Sequence, residues 1–370
     1  MRESNAAATP DSPTDSVRSS ARAITALAGS GVGLNISACH AAAAFLVRLN
    51  STNPRTPSSI ASSWLGANGL HPPAPDVSAL SWIFVVDTLN FCFWGPLGGP
   101  RWSVSHNGKT YEGYWALCAS INRALEEGIP MTDPAFYAKV SCSQLTHIFR
   151  SANSVPVPML KSRVKVLNEA GTVLTKSFNS SVEDLVAAAN GSADNLIGLL
   201  VRNFSSFNDS VLASAGTNDH VKSTHRLFFY KRAQIFVADV WACFAATNKY
   251  PFHDIGNLTM FADYRVPQAL AWLGAIEYSP KVLQALASGE ELAHGDPREI
   301  QIRGFSIHAV EIIRQEMERL TNQQLGQTAR SKESAPINSV MIDFALWDYA
   351  TEHRDQLAKF PIHRTKSVYY

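Results

Sequence analysis

A mainly α-helical fold carrying one small β-hairpin is what the 370-residue sequence predicts. Three observations lead there. From Asp76 onward most segments repeat apolar residues at helical spacing. Several of those segments open on a recognisable start signal: Asp133-Pro134, Ser141 with Gln144, and Asp296-Pro297 with Glu299. Strand-like alternation is confined to Trp102–Tyr111, where Asn107-Gly108 supplies the residues a tight hairpin turn needs.

Taken in order, residues 1–25 mix Ser, Ala, Thr, Pro and Asp with little apolar content and are expected to be a disordered tail. A helix is expected across Ser19–Leu49, weakened in its middle by glycines. Asn53–Pro75 holds five prolines, a loop-rich connection around a short helix at Ile60–Leu65. Gly98-Gly99-Pro100 marks a turn before the hairpin. Trp115–Glu127 is helical and stops at Gly128; Pro158–Phe178 and Ser181–Phe204 are amphipathic, the second broken near Gly191. Phe228–Ala246 is strongly apolar with Lys231, Arg232 and Asp239 embedded in it. Pro267 suits the first turn of a helix that runs to Gly274. A capped start at Asp296 leads into an amphipathic helix over Ser306–Leu320. Gln323–Pro336 is polar and expected to be a surface loop, and Asn338–Arg354 is the last long helix. Residues 26–370 thus form one helical unit, with a division into two lobes expected near 205–225.

Composition narrows the function. Apolar residues make up 46% and charged ones 17%, and 32 basic residues stand against 31 acidic, so no basic excess announces a nucleic-acid footprint. A small-molecule substrate fits that balance better than a stable nucleic-acid complex. The five cysteines (Cys39, Cys92, Cys118, Cys142, Cys243) are odd in number and unpaired in spacing, as expected of reduced core thiols. No apolar run reaches membrane-spanning length, since the stretch Trp82–Val86 is cut at Asp87. Arg18 and Arg22 hint at a transit peptide, against which stand Glu3, Asp11 and Asp15, so a cytoplasmic location is expected. The histidines are dispersed and make no H-x-x-x-H pattern, so neither a metal nor another cofactor is expected.

Two segments carry charge where apolar neighbours give little reason for it. Asp263 lies in Leu258-Thr259-Met260-Phe261-Ala262-Asp263-Tyr264-Arg265, just ahead of a helix. Such a carboxylate is either a structural partner of Arg265 or a working group. Lys231 must reach solvent or meet an anion. Asp239, two turns on along the same helix, is its structural alternative. Arg232 points about 100° away from Lys231 and is expected to be structural.

Four segments together resemble one family: Val85-Val86-Asp87-Thr88-Leu89-Asn90-Phe91-Cys92-Phe93-Trp94, Tyr230-Lys231-Arg232-Ala233-Gln234, the block around Asp263, and Ile342-Asp343-Phe344-Ala345-Leu346-Trp347-Asp348-Tyr349-Ala350. With Gly113-Tyr114-Trp115-Ala116-Leu117-Cys118 and Pro361-Ile362-His363-Arg364, they resemble the queuosine salvage proteins, the queuosine 5′-phosphate N-glycosylases. The likeness runs from about residue 76 to Tyr370. It implies a helical fold similar to DNA glycosylases and hydrolysis that frees the base queuine. It further implies that Asp263 is the carboxylate stabilising positive charge on the sugar, and it makes Lys231 the first candidate for binding the nucleotide.

Asp343 and Trp347, four residues apart, share a helix face, with Asp348 further round. A carboxylate beside an indole suits a guanine-like base, and a core tryptophan with a paired aspartate is the ordinary alternative. Asp87, Asn90, Phe91 and Trp94 are candidates for a second wall of the base pocket; Phe91 and Trp94 share a face only if that segment is helical. Tyr264 and Arg265, flanking Asp263, complete the substrate-binding set. Whether His71 or Asn68 contributes stays open, because Asn68-Gly69-Leu70-His71-Pro72 departs from the family's expected arrangement. Two other readings compete with the hydrolase: a module that binds a modified nucleotide or tRNA without cleaving it, and a base-exchange transferase.

Overall fold

The computed structural model describes residues 11–26, 31–52, 56–215, 223–325 and 336–370. Helices dominate, and among the described residues the strands form three two-stranded antiparallel sheets. The predicted hairpin is one of them: Ser103–His106 pairs with Lys109–Glu112. Its turn residues Asn107 and Gly108 both have positive φ, 47° and 73°, the geometry that matches hairpin twist. The other sheets join Val32–Leu34 to Ile276–Tyr278 and Ser210–Ala215 to Ser223–Phe228. No helix among the described residues is long and apolar enough to cross a membrane.

The expected disordered tail needs correction. Residues 1–10 lie outside the described residues, but Pro13–Thr25 forms a helix whose Ser12 side chain caps Asp15 N. The low apolar content hid a usable stripe: Val17, Ala21 and Ile24 recur at helical spacing and are buried. This helix lies on the long helix Pro297–Leu325, where Gly304 permits the approach. A Cβ at Gly304 would sit 2.6 Å from Ile24 Cδ1, so only glycine fits without displacement. The single helix expected over Ser19–Leu49 is likewise two helices, the second being Ile36–Thr52, with the strand Val32–Leu34 between them.

Ser306–Leu320 is part of a 29-residue helix that begins at Pro297, so the start signal at Asp296 opens the whole element. It ends at Leu325, inside the stretch expected to be loop, whose residues 326–335 lie outside the described residues. The helices that matter for the site are Val77–Thr88, Gly113–Glu126, Lys231–Phe244, Val266–Trp272 and Ser339–Glu352. Gly113–Glu126, Lys231–Phe244 and Ser339–Glu352, with Pro57–Trp64, line one cavity of about 430 Å³, and the other two helices adjoin the loops that line it.

Candidate active site

The segment before Asp263 is held from three sides. Gln234 accepts from Thr259 N at 2.9 Å and donates to Thr259 Oγ1 at 3.0 Å. Asp343 Oδ2 accepts from Phe261 N at 2.8 Å, and Arg303 Nε donates to the Ala262 carbonyl at 2.8 Å. Three helices therefore fix the backbone that presents Asp263. Its own Oδ1 accepts from Arg265 N at 2.7 Å and Val266 N at 3.0 Å, the two amides at the entry to the Val266–Trp272 helix. Oδ2 makes no hydrogen bond to the described residues, and the side chain lines the cavity. The Arg265 guanidinium turns away to Gln268 Oε1 at 3.0 Å, so the alternative of a side-chain ion pair is not what the structure contains.

Lys231 opens the Lys231–Phe244 helix directly after Tyr230, whose φ of 50° makes the sharp entry. Its backbone N donates to Asp209 and its Nζ donates to the Asn90 carbonyl at 3.3 Å. The side chain is buried and also lines the cavity. Asp239, the expected alternative partner, instead accepts from Trp64 Nε1 at 3.1 Å.

The electrostatics of the site follow first from burial. Burial pushes the carboxyls of Asp263, Asp343, Asp239 and Asp87 above the usual range, Asp239 to about 7. Their neighbours add to this, Asp263 acting on Asp343 and Asp239 acting on Asp87. The Lys231 ammonium opposes the rise at all four. Burial pushes Lys231 itself down, countered by Asp263, Asp87 and Asp343. Arg265 assists Lys231 at Asp263 and Arg232 assists it at Asp87, and the carboxyl of Asp263, held in a buried setting beside an ammonium, suits a ligand that develops positive charge next to it.

Of the residues singled out from sequence, Asp263, Lys231, Asp343, Trp347, Asn90, Phe91, Trp94, Tyr264, Arg265 and Asp348 line the cavity. Asp87 does not; it ends the Val77–Thr88 helix behind the wall, where Asn90 Nδ2 lies 3.4 Å from its Oδ1. Residues after Leu89 are not helical, so Phe91 and Trp94 reach the cavity from an extended loop. That loop is clamped by two buried arginines that sequence reasoning missed or set aside. Arg163 donates to the carbonyls of Leu89, Phe91 and Cys92, and Arg232 to those of Thr88 and Ser206. Phe91 sits under both guanidinium groups, 4.4 and 5.1 Å from its ring centre.

His71, left open from sequence, also lines the cavity, as do Trp64, Tyr114, Trp115 and Asp239. Arg101 and Arg354 line it as well, close enough to Arg265 to push its pKa down alongside burial. Neither was identified beforehand; each is an ordinary exposed arginine in its own segment, and only the fold brings them together.

A family model described as "Queuosine salvage protein" matches residues 70–370. The chain is 43% identical over 309 residues to a Mus musculus protein called queuosine 5′-phosphate N-glycosylase/hydrolase, covering 83% of this chain and 86% of that one. Proteins with the same name from Bos taurus and Schizosaccharomyces pombe are 42% and 39% identical, over 83% and 81% of this chain and 86% of each relative.

Proposed function

The chain belongs to the queuosine salvage protein family, and from that premise we propose that it hydrolyses the N-glycosidic bond of queuosine 5′-phosphate and releases queuine. The observation that carries this reading is the placement of Asp263. Its backbone is held by hydrogen bonds, one carboxylate oxygen is consumed by two amides, and the side chain lines the cavity beside a buried ammonium. As the bond to the base lengthens, positive charge builds on the sugar carbon, and a fixed carboxylate in a desolvated site stabilises it strongly. Water then adds to that carbon, yielding ribose 5-phosphate and the free base with its proton restored.

Asp343 and Trp347 project from one face of the Ser339–Glu352 helix into the same cavity and provide the acceptor and the apolar plane that a guanine-like base needs. A 7-deazaguanine has carbon where guanine has its basic ring nitrogen, so protonation there cannot drive departure. Catalysis therefore rests on the sugar side, with Asp263 indispensable. The Lys231 ammonium favours the ionised form of Asp263 against the burial that raises its pKa. Arg101, Arg265 and Arg354 form the basic part of the wall and receive the 5′-phosphate. Tyr264, Asn90, Phe91, Trp94 and Asp348 complete the enclosure.

Purified wild-type and Asp263→Asn protein, incubated with queuosine 5′-phosphate in water enriched in heavy oxygen, provide the test. Queuine should appear with the wild type, and the label should enter ribose 5-phosphate. The variant should lose about 10³-fold or more in rate. Tight nucleotide binding without release by the wild type would instead favour a non-catalytic binding protein.

A further inference from the structure

Six consecutive backbone carbonyls, from Asp87 to Cys92, accept from buried cations. Arg232 donates to those of Asp87 and Thr88. Arg163 donates to those of Leu89, Phe91 and Cys92 at 2.6, 2.6 and 3.1 Å, and Lys231 Nζ to that of Asn90 at 3.3 Å. Both arginines are fully buried, and among the described residues neither has a carboxylate within ion-pair distance. Burial takes the Arg163 pKa down to about 10. An unpaired buried charge is costly, and an apolar side chain of similar volume would fill the space more cheaply. What the charge supplies here is a grip on the backbone.

That grip has a direction. Arg163 stands on the Leu160–Ser177 helix, and its Nε donates to the Pro158 carbonyl at 2.9 Å, which orients the guanidinium. The planar fork then takes the carbonyls before and after Asn90. With the peptide planes on either side held, the Asn90 carbonyl is held too, and it faces Lys231. Among the described residues it is the one hydrogen-bond partner of Lys231 Nζ, on a side chain with four rotatable bonds. Asp263 in turn is faced by Lys231 from the Lys231–Phe244 helix, by Arg265 and Tyr264 from its own segment, and by Asp343 from the Ser339–Glu352 helix. Lys231 is the strongest of the charges that favour its carboxylate form.

We propose that Arg163 is a positioning residue for the hydrolysis: by holding the carbonyls on both sides of Asn90, it fixes the carbonyl that keeps the Lys231 ammonium next to Asp263. The inference rests on the function proposed above. Arg163 does not line the cavity and touches no substrate; it acts through the Asn90 carbonyl and Lys231. A lysine in its place keeps the charge and loses the fork, so it cannot hold the separate carbonyls at once.

Rates of queuosine 5′-phosphate hydrolysis from about pH 4 to 9 test this with wild type, Arg163→Lys, Arg163→Met and Val166→Ala. Val166 packs with Phe91 and Cys92 in one small apolar cluster, so its truncation loosens the same region and spares the carbonyl bonds. Arg163→Lys should lower kcat about 10-fold and leave KM within about threefold. Its acid limb should move to higher pH, because an ammonium that wanders no longer offsets the burial that raises the Asp263 pKa. Arg163→Met should show the same changes more strongly; where it is too unstable to assay, Arg163→Lys carries the test. Val166→Ala should keep the wild-type limb. An Arg163→Lys protein with the wild-type limb would overturn the positioning role, as would a Val166→Ala protein whose limb shifts equally. Absence of queuine release by wild type would overturn the hydrolase reading. The link from Arg163 to Asp263 is then read without turnover, by carbon NMR of carboxyl-labelled aspartates with Asp263→Asn assigning the signal. Asp263 should titrate at higher pH in Arg163→Lys, and an unchanged titration would sink the link itself.

Discussion

Two buried clusters of charge lie within the same few helices and are built on opposite principles. Around Arg303 every charge is answered. Its guanidinium pairs with Asp209 Oδ2 at 2.5 Å and Glu299 Oε1 at 3.2 Å, donates to the Ala262 carbonyl, and lies between the rings of Phe229 and Tyr370 at 4.0 and 4.2 Å. Glu299 Oε1 also accepts from the Tyr370 hydroxyl at 2.8 Å. Around Lys231 four buried carboxyls are all pushed up by burial and form no ion pair within 4 Å among the described residues, and Asp87 Oδ2 is buried with no hydrogen-bond partner among them. The satisfied cluster stiffens the backbone behind the site. The unsatisfied one stores unfavourable electrostatics that a substrate can relieve.

The contrast predicts that breaking the satisfied cluster costs stability above all. Arg303→Met leaves Asp209 and Glu299 buried without their cation, and removing one partner of such a set costs about 3–5 kcal/mol. The urea midpoint should fall accordingly. A variant as stable as wild type would show that the Arg303 cluster is not the structural member of the pair.

In the unsatisfied cluster the same kind of change should register in catalysis. Lys231→Met removes the main cation that favours ionised Asp263, and an expected loss of about 100-fold in kcat/KM corresponds to about 2.7 kcal/mol. The sign in pH is fixed by the chemistry. An adjacent ammonium favours the carboxylate form, so its loss raises the Asp263 pKa further, and activity should fail at a higher pH on acidification than it does in wild type. An acid limb that stays in place would detach Lys231 from Asp263.

The sequence made these two clusters unequally visible. Asp263 and Lys231 stand out locally, because each interrupts an apolar stretch, and the segments resembling a known family mark the same positions. Arg303 gave no such signal: its partners Asp209 and Glu299 are one distant and one on its own helix, and a charge on a long helix is usually solvated. The aromatic part of the cavity wall was illegible for the same reason. Trp64, His71, Trp115, Asp239 and Trp347 come from five segments, and aromatics at helical spacing ordinarily fill cores. Asp87 lies behind the cavity lining, and a motif shared with cavity-lining neighbours does not reveal which residue faces inward. The amino-terminal helix was missed because mean composition, rather than the spacing of Val17, Ala21 and Ile24, governed the expectation.

The smallest effect sharpens the comparison most, because it asks whether the unsatisfied cluster penalises the empty protein. Asp239 has an ordinary carboxyl pKa of 3.8 that folding raises to about 7, with burial the main cause. A group raised on folding contributes stability that is full below its unfolded pKa and lost as pH climbs through the folded one. Wild type and Asp239→Asn should therefore melt alike near pH 3.5, where both side chains are neutral. Between pH 4 and 7 the variant should pull ahead, and above pH 7 the gap should level off. A rise from 3.8 to about 7 sets an upper bound of about 4 kcal/mol on that gap. Thermal melts across that range read the gap directly. A variant less stable than wild type at pH 8 would mean that Asp239 is already satisfied in the empty protein, and the distinction between the two clusters would rest on Asp87, Asp263 and Asp343 alone.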